Sequence, residues 1–170
     1  MVSLKSLERG EPIMLKIIWA AASLLFFQAS ATAQSLEVKR YNYAEWTKGR
    51  FTEVVTVTGP GKMIFLAGVG AEDEDKPQGN IRHLGNPYLQ CKYAYDKMKR
   101  HLVKHGATLA DVVKQMVYVT DIRYQADVGK CRREEYGEAG PIPANTFLVI
   151  SGLAIQGMLL EIDITAVVPK

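Results

Sequence analysis

The sequence predicts an α+β domain built as a six-stranded mixed sheet with two helices on one face. Three observations predict it. Behind a leading edge strand, β-rich runs and helical stretches follow the order strand, strand, helix, strand, helix, strand, strand. One long stretch repeats its apolar residues at helical spacing. Val and Ile occupy both alternation phases of several strands, so the face left bare by the helices is apolar too and calls for an oligomer. The chain has 170 residues, 48% hydrophobic and 23% charged, which suits one globular domain with a sizeable core. A net charge of +3 with the signs interspersed is too weak a field to argue for nucleic acid.

At the N-terminus Lys16 precedes the apolar stretch Ile17–Phe27, and Ala31-Thr32-Ala33 offers a small-x-small pattern before Gln34. The run is short for a membrane span. We expect a signal peptide over 1–33, a periplasmic or secreted chain, and no stable membrane span after cleavage; an uncleaved anchor is the alternative. Met14 stands directly before Leu15-Lys16, which leaves open whether translation starts there, with 1–13 a mis-assigned start, or at Met1. Residues 34–49 form a lead-in with an edge strand at Val38–Tyr41, and 50–170 form the domain.

Phe51–Thr58 alternates in part and reads as a strand. Gly59-Pro60-Gly61-Lys62 is a turn and Met63–Ala67 a continuous apolar strand, so the two make a hairpin. The Gly-Lys pair lacks phosphate-loop spacing. The acids Glu72-Asp73-Glu74-Asp75 lack the EF-hand spacing and read as a solvated loop. From Pro87 to His105, Cys91, Tyr95, Met98 and Leu102 form one apolar helical stripe, with Lys92, Asp96, Lys97, Lys99 and Arg100 mostly off it. Gly106 is a left-handed stop. His101 and His105 stand one turn apart without a third ligand nearby, so no metal is expected. Val112–Thr120 is a buried strand, and Asp121 caps a helix from Arg123 to Tyr136. Cys91 and Cys131 thus fall on different helices. Export would let them pair, yet two separate buried thiols are the expectation.

Pro143 to Glu161 reads PANTFLVISGLAIQGMLLE: an apolar run over Phe147–Ile150, a break at Ser151-Gly152, then a second run into Glu161-Ile162-Asp163-Ile164. These are two strands. Glu161 is a lone carboxylate that faces either solvent or a pocket, and spacing alone favours solvent.

This stretch, together with Asp111-Val112-Val113-Lys114 and Val117-Tyr118-Val119-Thr120-Asp121, resembles the RidA family, also called YjgF or endoribonuclease L-PSP, over about Arg50 to Pro169. The family signature of Pro-Ala-Arg, an apolar strand, Leu and Gly, then Glu-Ile stands here as Pro143-Ala144-Asn145, Leu153, Gly157 and Glu161-Ile162. The resemblance implies a chorismate-mutase-like fold and a homotrimer with sheets packed inward and ligand clefts between subunits. It also implies hydrolysis of reactive imines and enamines with no metal and no organic cofactor. Residue by residue, Glu161 keeps the carboxylate associated with positioning water. The family arginine, which forks onto a substrate carboxylate, is Asn145. The family Tyr is Phe51, the Ser-Gly-Gln strand end is Ala67-Gly68-Val69, and a Cys two places after the arginine is Phe147.

The cleft is therefore expected to be apolar and uncharged. Glu161 would be the general base, with Asn145 holding the substrate carbonyl or imine in catalysis; Phe51, Ala67, Gly68, Val69 and Phe147 would bind substrate. Two functions follow. One is an exported hydrolase or deaminase of imine- or enamine-type small molecules, shifted toward neutral or weakly polar substrates. The other is a non-catalytic trimer that binds a small ligand or a protein partner in the same cleft.

Overall fold

A computed structural model describes residues 34–77, 80–137 and 140–170; the expected signal peptide over 1–33 lies outside them. Six strands and two helices appear in the anticipated order. They are β1 (Glu37–Tyr41), β2 (Val54–Thr58), β3 (Gly61–Val69), α1 (Pro87–Lys104), β4 (Val112–Val119), α2 (Gln125–Tyr136), β5 (Ala144–Val149) and β6 (Leu160–Pro169).

The strands divide into two sheets instead of one. β1 and β2 pair antiparallel from Glu37↔Thr58 to Tyr41↔Val54, and the other four run in the order β3-β6-β4-β5. The expected hairpin between β2 and β3 therefore does not form. β3 finds a longer match in β6, antiparallel from Gly61↔Pro169 to Val69↔Ile162, while β2 already has β1. The turn between them is closed against the lead-in: Gly59 has φ 90°, and a Cβ there would lie 2.3 Å from the Ser35 carbonyl oxygen. The sheet is mixed because β4 runs antiparallel to β6 and parallel to β5.

The helices cover one face of the four-stranded sheet. The predicted stripe of Cys91, Tyr95, Met98 and Leu102 is fully buried and packs with Leu160, Ile162 and Ile164 of β6 and Val117 and Val119 of β4. At about 1.5–3 kcal/mol per buried large apolar side chain, this layer is the main source of stability. Asn86 caps α1 by accepting the Leu89 N–H, and Pro87 fills its first position, where a missing N–H costs nothing. Gly106 ends it with φ 74°, as expected. Lys97 departs from prediction. It is buried and reaches back to the Glu72 carboxylate at 2.6 Å and to its backbone oxygen. Asp121 caps a 3-10 turn, Ile122–Tyr124, and α2 proper starts only at Gln125.

Two further expectations change. Cys91 and Cys131 are joined in a disulfide that staples α1 to α2, and the separate-thiol reading is corrected: the buried side of each helix turns its sulfur into the same helix–helix seam. The acidic run is a neutralised loop more than a solvated one. Lys97 holds Glu72, Arg82 bridges Asp73 and Asp75, and Arg100 pairs with Glu74. Among the described residues no helix is long and apolar enough to cross a membrane.

Candidate functional site

Residues that the sequence assigns to one site fall into two groups, because β-strand neighbours point to opposite faces. Register fixes the split. Gln115, Val117 and Val119 of β4 pair with Asn145, Phe147 and Val149 of β5 and share the helix-covered face. Tyr118 pairs with both Glu161 and Leu148, which puts the carboxylate on the open face. Within one chain, Asn145 and Glu161 are separated by the sheet.

On the helix side a cleft of about 840 Å³ opens between α2, the start of β5 and the turn ahead of β2. Asn145, Phe147 and Phe51 line it together. Phe51 is not in a strand as expected. It lies in an extended stretch before β2, docked to β5 by the Thr52–Ala144 bridge, by the Thr52 N–H to the Pro143 carbonyl at 3.2 Å, and by the Thr52 hydroxyl to the Ile142 carbonyl. The lead-in completes this wall. Asn42 donates to Thr47 and to the Phe51 carbonyl, and Trp46 stands edge-on to Phe51 at 5.5 Å between ring centres.

Beneath Asn145 lies a buried polar cluster that sequence reading missed. Gln115 is wholly buried, accepts from the Tyr95 and Tyr136 hydroxyls at 2.9 Å each, and donates to Asn145 Oδ1 at 3.1 Å. Its carbonyl and its amide are thereby both used, as burial demands. Burial drives both tyrosine pKa values up, so the hydroxyls stay protonated and donate. Asn145 is thus held by its oxygen, which leaves its amide N–H groups for the cleft. A Gln in the middle of a Val-rich strand was the available signal.

The expectation of an uncharged cleft is overturned. Arg50, Arg132 and Arg133 line it, the last two from α2. No motif flagged them, since basic residues on a helix usually read as a solvated face.

The open face carries the second group. A Cβ on Gly68 would lie 2.1 Å from Glu161 Oε1, so only glycine leaves room for the carboxylate to lie across β3. Burial, then repulsion from Glu72 and Asp163, raises the pKa of Glu161. Tyr118 donates to Asp163 at 3.3 Å and Lys114 to Thr146 at 2.8 Å on the same face. Around these polar groups Met63, Phe65 and Leu148 are exposed, Phe65 to 72%. Ala67 and Gly68 are exposed beside Glu161, whereas Val69 turns into the core. Among the described residues no cluster of three or more His, Cys, Asp or Glu side chains could hold a metal.

The family model described as Endoribonuclease L-PSP matches residues 44–168. A RutC family protein of Pyrococcus abyssi is 29% identical over 121 residues, 69% of this chain and 86% of that protein. Among solved structures, a member of the YjgF/YER057c/UK114 family from Mycobacterium tuberculosis is 25% identical with a TM-score of 0.53, covering 78% of this chain and all of that one. A Rid family protein of unknown function from Yersinia pestis, 23% identical, superposes with a TM-score of 0.66 over 79% of this chain and all of that one.

Proposed function

The chain belongs to the endoribonuclease L-PSP family, the RidA or YjgF proteins, and from that premise we propose that it is an exported homotrimer that hydrolyses imine- or enamine-type small molecules without a cofactor. The observation that carries this reading is Glu161: a carboxylate seated against Gly68 on an open sheet face, its pKa raised by partial burial and by the neighbouring Glu72 and Asp163. Glu161 takes a proton from water as the water oxygen attacks the imine carbon. That proton passes to nitrogen to give a carbinolamine; Glu161 then relays the carbinolamine hydroxyl proton to the amino group as the C=O bond forms and the C–N bond breaks, so ammonia leaves and a carbonyl product remains. The amide of Asn145 holds the substrate from the cleft side.

Trimer formation is part of the proposal because one chain puts the acid and the cleft on opposite faces. Association through the exposed Met63, Phe65 and Leu148 would bring the Glu161 of one copy to the cleft of the next. Export is supported by the apolar Ile17–Phe27 with its Ala31-Thr32-Ala33 site, and by the Cys91–Cys131 disulfide, a bond that persists in oxidising compartments. The separation of Asn145 from Glu161 also favours a second reading, a trimer that binds ligand in the cleft without turning it over.

Ammonia release from a panel of imines generated in solution, compared between the wild type and Glu161→Gln, tests the choice. We expect at least one imine to be turned over and the Gln variant to lose about 100-fold, the usual share of a general base. Equal rates for the two proteins would remove the hydrolase and leave the binding trimer.

A further inference from the structure

The polar cluster behind Asn145 has a direction, and burial fixes it. Tyr95 comes from α1, Tyr136 from the end of α2, Gln115 from β4 and Asn145 from the start of β5, so the cluster ties both helices to the two strands beside the cleft. An amide keeps its outline when it turns over and exchanges oxygen for nitrogen. Two arrangements therefore fit the same space. In one, both tyrosine hydroxyls donate to Gln115 Oε1, and Gln115 Nε2 donates to Asn145 Oδ1. In the other, both amides are reversed: Gln115 would donate to the hydroxyl oxygens and accept from Asn145 Nδ2.

The hydroxyl protons decide between them. Among the described residues Gln115 is the only hydrogen-bond partner of either hydroxyl. Tyr95 is fully buried and Tyr136 nearly so, which keeps water from replacing it. The reversed arrangement would orphan two buried O–H donors, whereas the first leaves over no more than one N–H of Gln115. The first arrangement wins, and its consequence reaches the cleft. Asn145 Oδ1 is occupied from behind, while among the described residues Nδ2 donates to no protein atom. A free asparagine serves a donor or an acceptor equally well by turning over. Here a turn would set Asn145 Nδ2 against Gln115 Nε2, donor against donor. Asn145 thus shows the cleft a donor only, between Phe51 and Phe147.

We infer that Gln115, oriented by Tyr95 and Tyr136, is a positioning residue that fixes Asn145 as a donor, so that the cleft selects neutral ligands presenting an acceptor there. A carbonyl oxygen or the lone pair of an uncharged imine nitrogen meets that demand; an N–H or O–H does not. An imine therefore enters as the free base, since the N–H of its protonated form would face the Asn145 amide hydrogens. This rests on the reading of the Asn145 cleft as the ligand site and deepens it by naming the form of the ligand. A merely structural cluster would change stability when cut and leave discrimination between ligands alone.

Side-chain amide NMR of the mature chain, titrated with cyclopentanone and with pyrrole, tests the inference. Both probes are small uncharged rings of similar size, the first with an acceptor only and the second with an N–H donor. Cyclopentanone should shift the Asn145 amide signal and bind about 5-fold more tightly than pyrrole, the share of one neutral hydrogen bond. The double variant Tyr95→Phe/Tyr136→Phe should lose that preference, because Gln115 is then free to turn over. Equal binding of the two probes, or a preference unchanged in the double variant, would overturn the role of Gln115. Should the variant not fold, proton exchange in the wild type decides: Gln115 amide protons at least about 10-fold more protected than those of Asn145 support it, and the reverse order overturns it. If neither probe moves the Asn145 signal, the cleft itself is not a ligand site and both readings fall. A clear cyclopentanone preference in a protein that hydrolyses no imine would sink the hydrolase and keep Gln115.

Discussion

The two faces of the four-stranded sheet obey different rules. On the helix side Ile162, Leu160, Val117 and Val119 meet partners supplied by the same chain, and the one buried polar side chain of β4, Gln115, is satisfied by Tyr95, Tyr136 and Asn145. On the open side Met63, Phe65 and Leu148 have no cover, and Glu161, Asp163 and Tyr118 share space with them. The first face is finished by folding. The second is left open by the single chain, and it holds the acid that the proposed chemistry needs. The difference teaches that stability and function are written on alternate residues of the same strands.

The comparison breaks most readily on β6, where adjacent residues face opposite ways. Ile162→Ala should cost about 2–5 kcal/mol in urea unfolding. Asp163→Ala, one residue along, should stay within about 0.5 kcal/mol, and similar losses at both would deny the division of faces. Next in size is the staple under the helices. Replacing both Cys91 and Cys131 by Ser should cost about 2–4 kcal/mol, since the bond closes a loop with a sequence separation of 40. An unchanged midpoint under reducing and oxidising conditions would show that the bond does not form.

Gln115→Leu should cost about 1–3 kcal/mol, because two tyrosine hydroxyls are left buried without an acceptor. Adding Tyr95→Phe and Tyr136→Phe should recover part of that loss. A triple variant no better than the sum of its parts would argue that the cluster is not one unit. The smallest effect is the pH dependence of Glu161. Its folded pKa lies above the unfolded value, so its protonation favours the fold: the contribution is present in acid and is lost as pH rises through the folded pKa. Glu161→Gln should therefore melt with the wild type near pH 4, about the ordinary glutamate pKa, and slightly above it at neutral pH. A variant less stable at neutral pH would mean that the charged carboxylate is held by favourable contacts instead.

Local pattern carried much of the fold. The stripe of Cys91, Tyr95, Met98 and Leu102, the strand over Val112–Val119 and the stop at Gly106 follow from periodicity and backbone preference, and the structure keeps them. Pairing was less legible. β2 and β3 are adjacent in sequence and flank a good turn, but their ladders are settled by the lengths of β1 and β6, which no local signal reports. The site shows the same limit. Asn145, Phe147 and Phe51 were found through a motif and do converge, while Glu161 was placed with them although strand parity sends it to the other face. Arg132 and Gln115 escaped notice because what distinguishes them is three-dimensional: a cation with no described counter-charge and an amide with no water. The slot that Gly68 opens for the Glu161 carboxylate is a further feature that spacing alone does not show.

Sedimentation equilibrium of the mature chain at micromolar concentration tests most directly whether the open face is completed by other copies. We predict a mass of three chains, reduced to that of one by Phe65→Asp with the helix-side core intact by circular dichroism. A wild-type protein that sediments as single chains would leave Glu161 and the Asn145 cleft on opposite sides of one sheet and would contradict the proposed site.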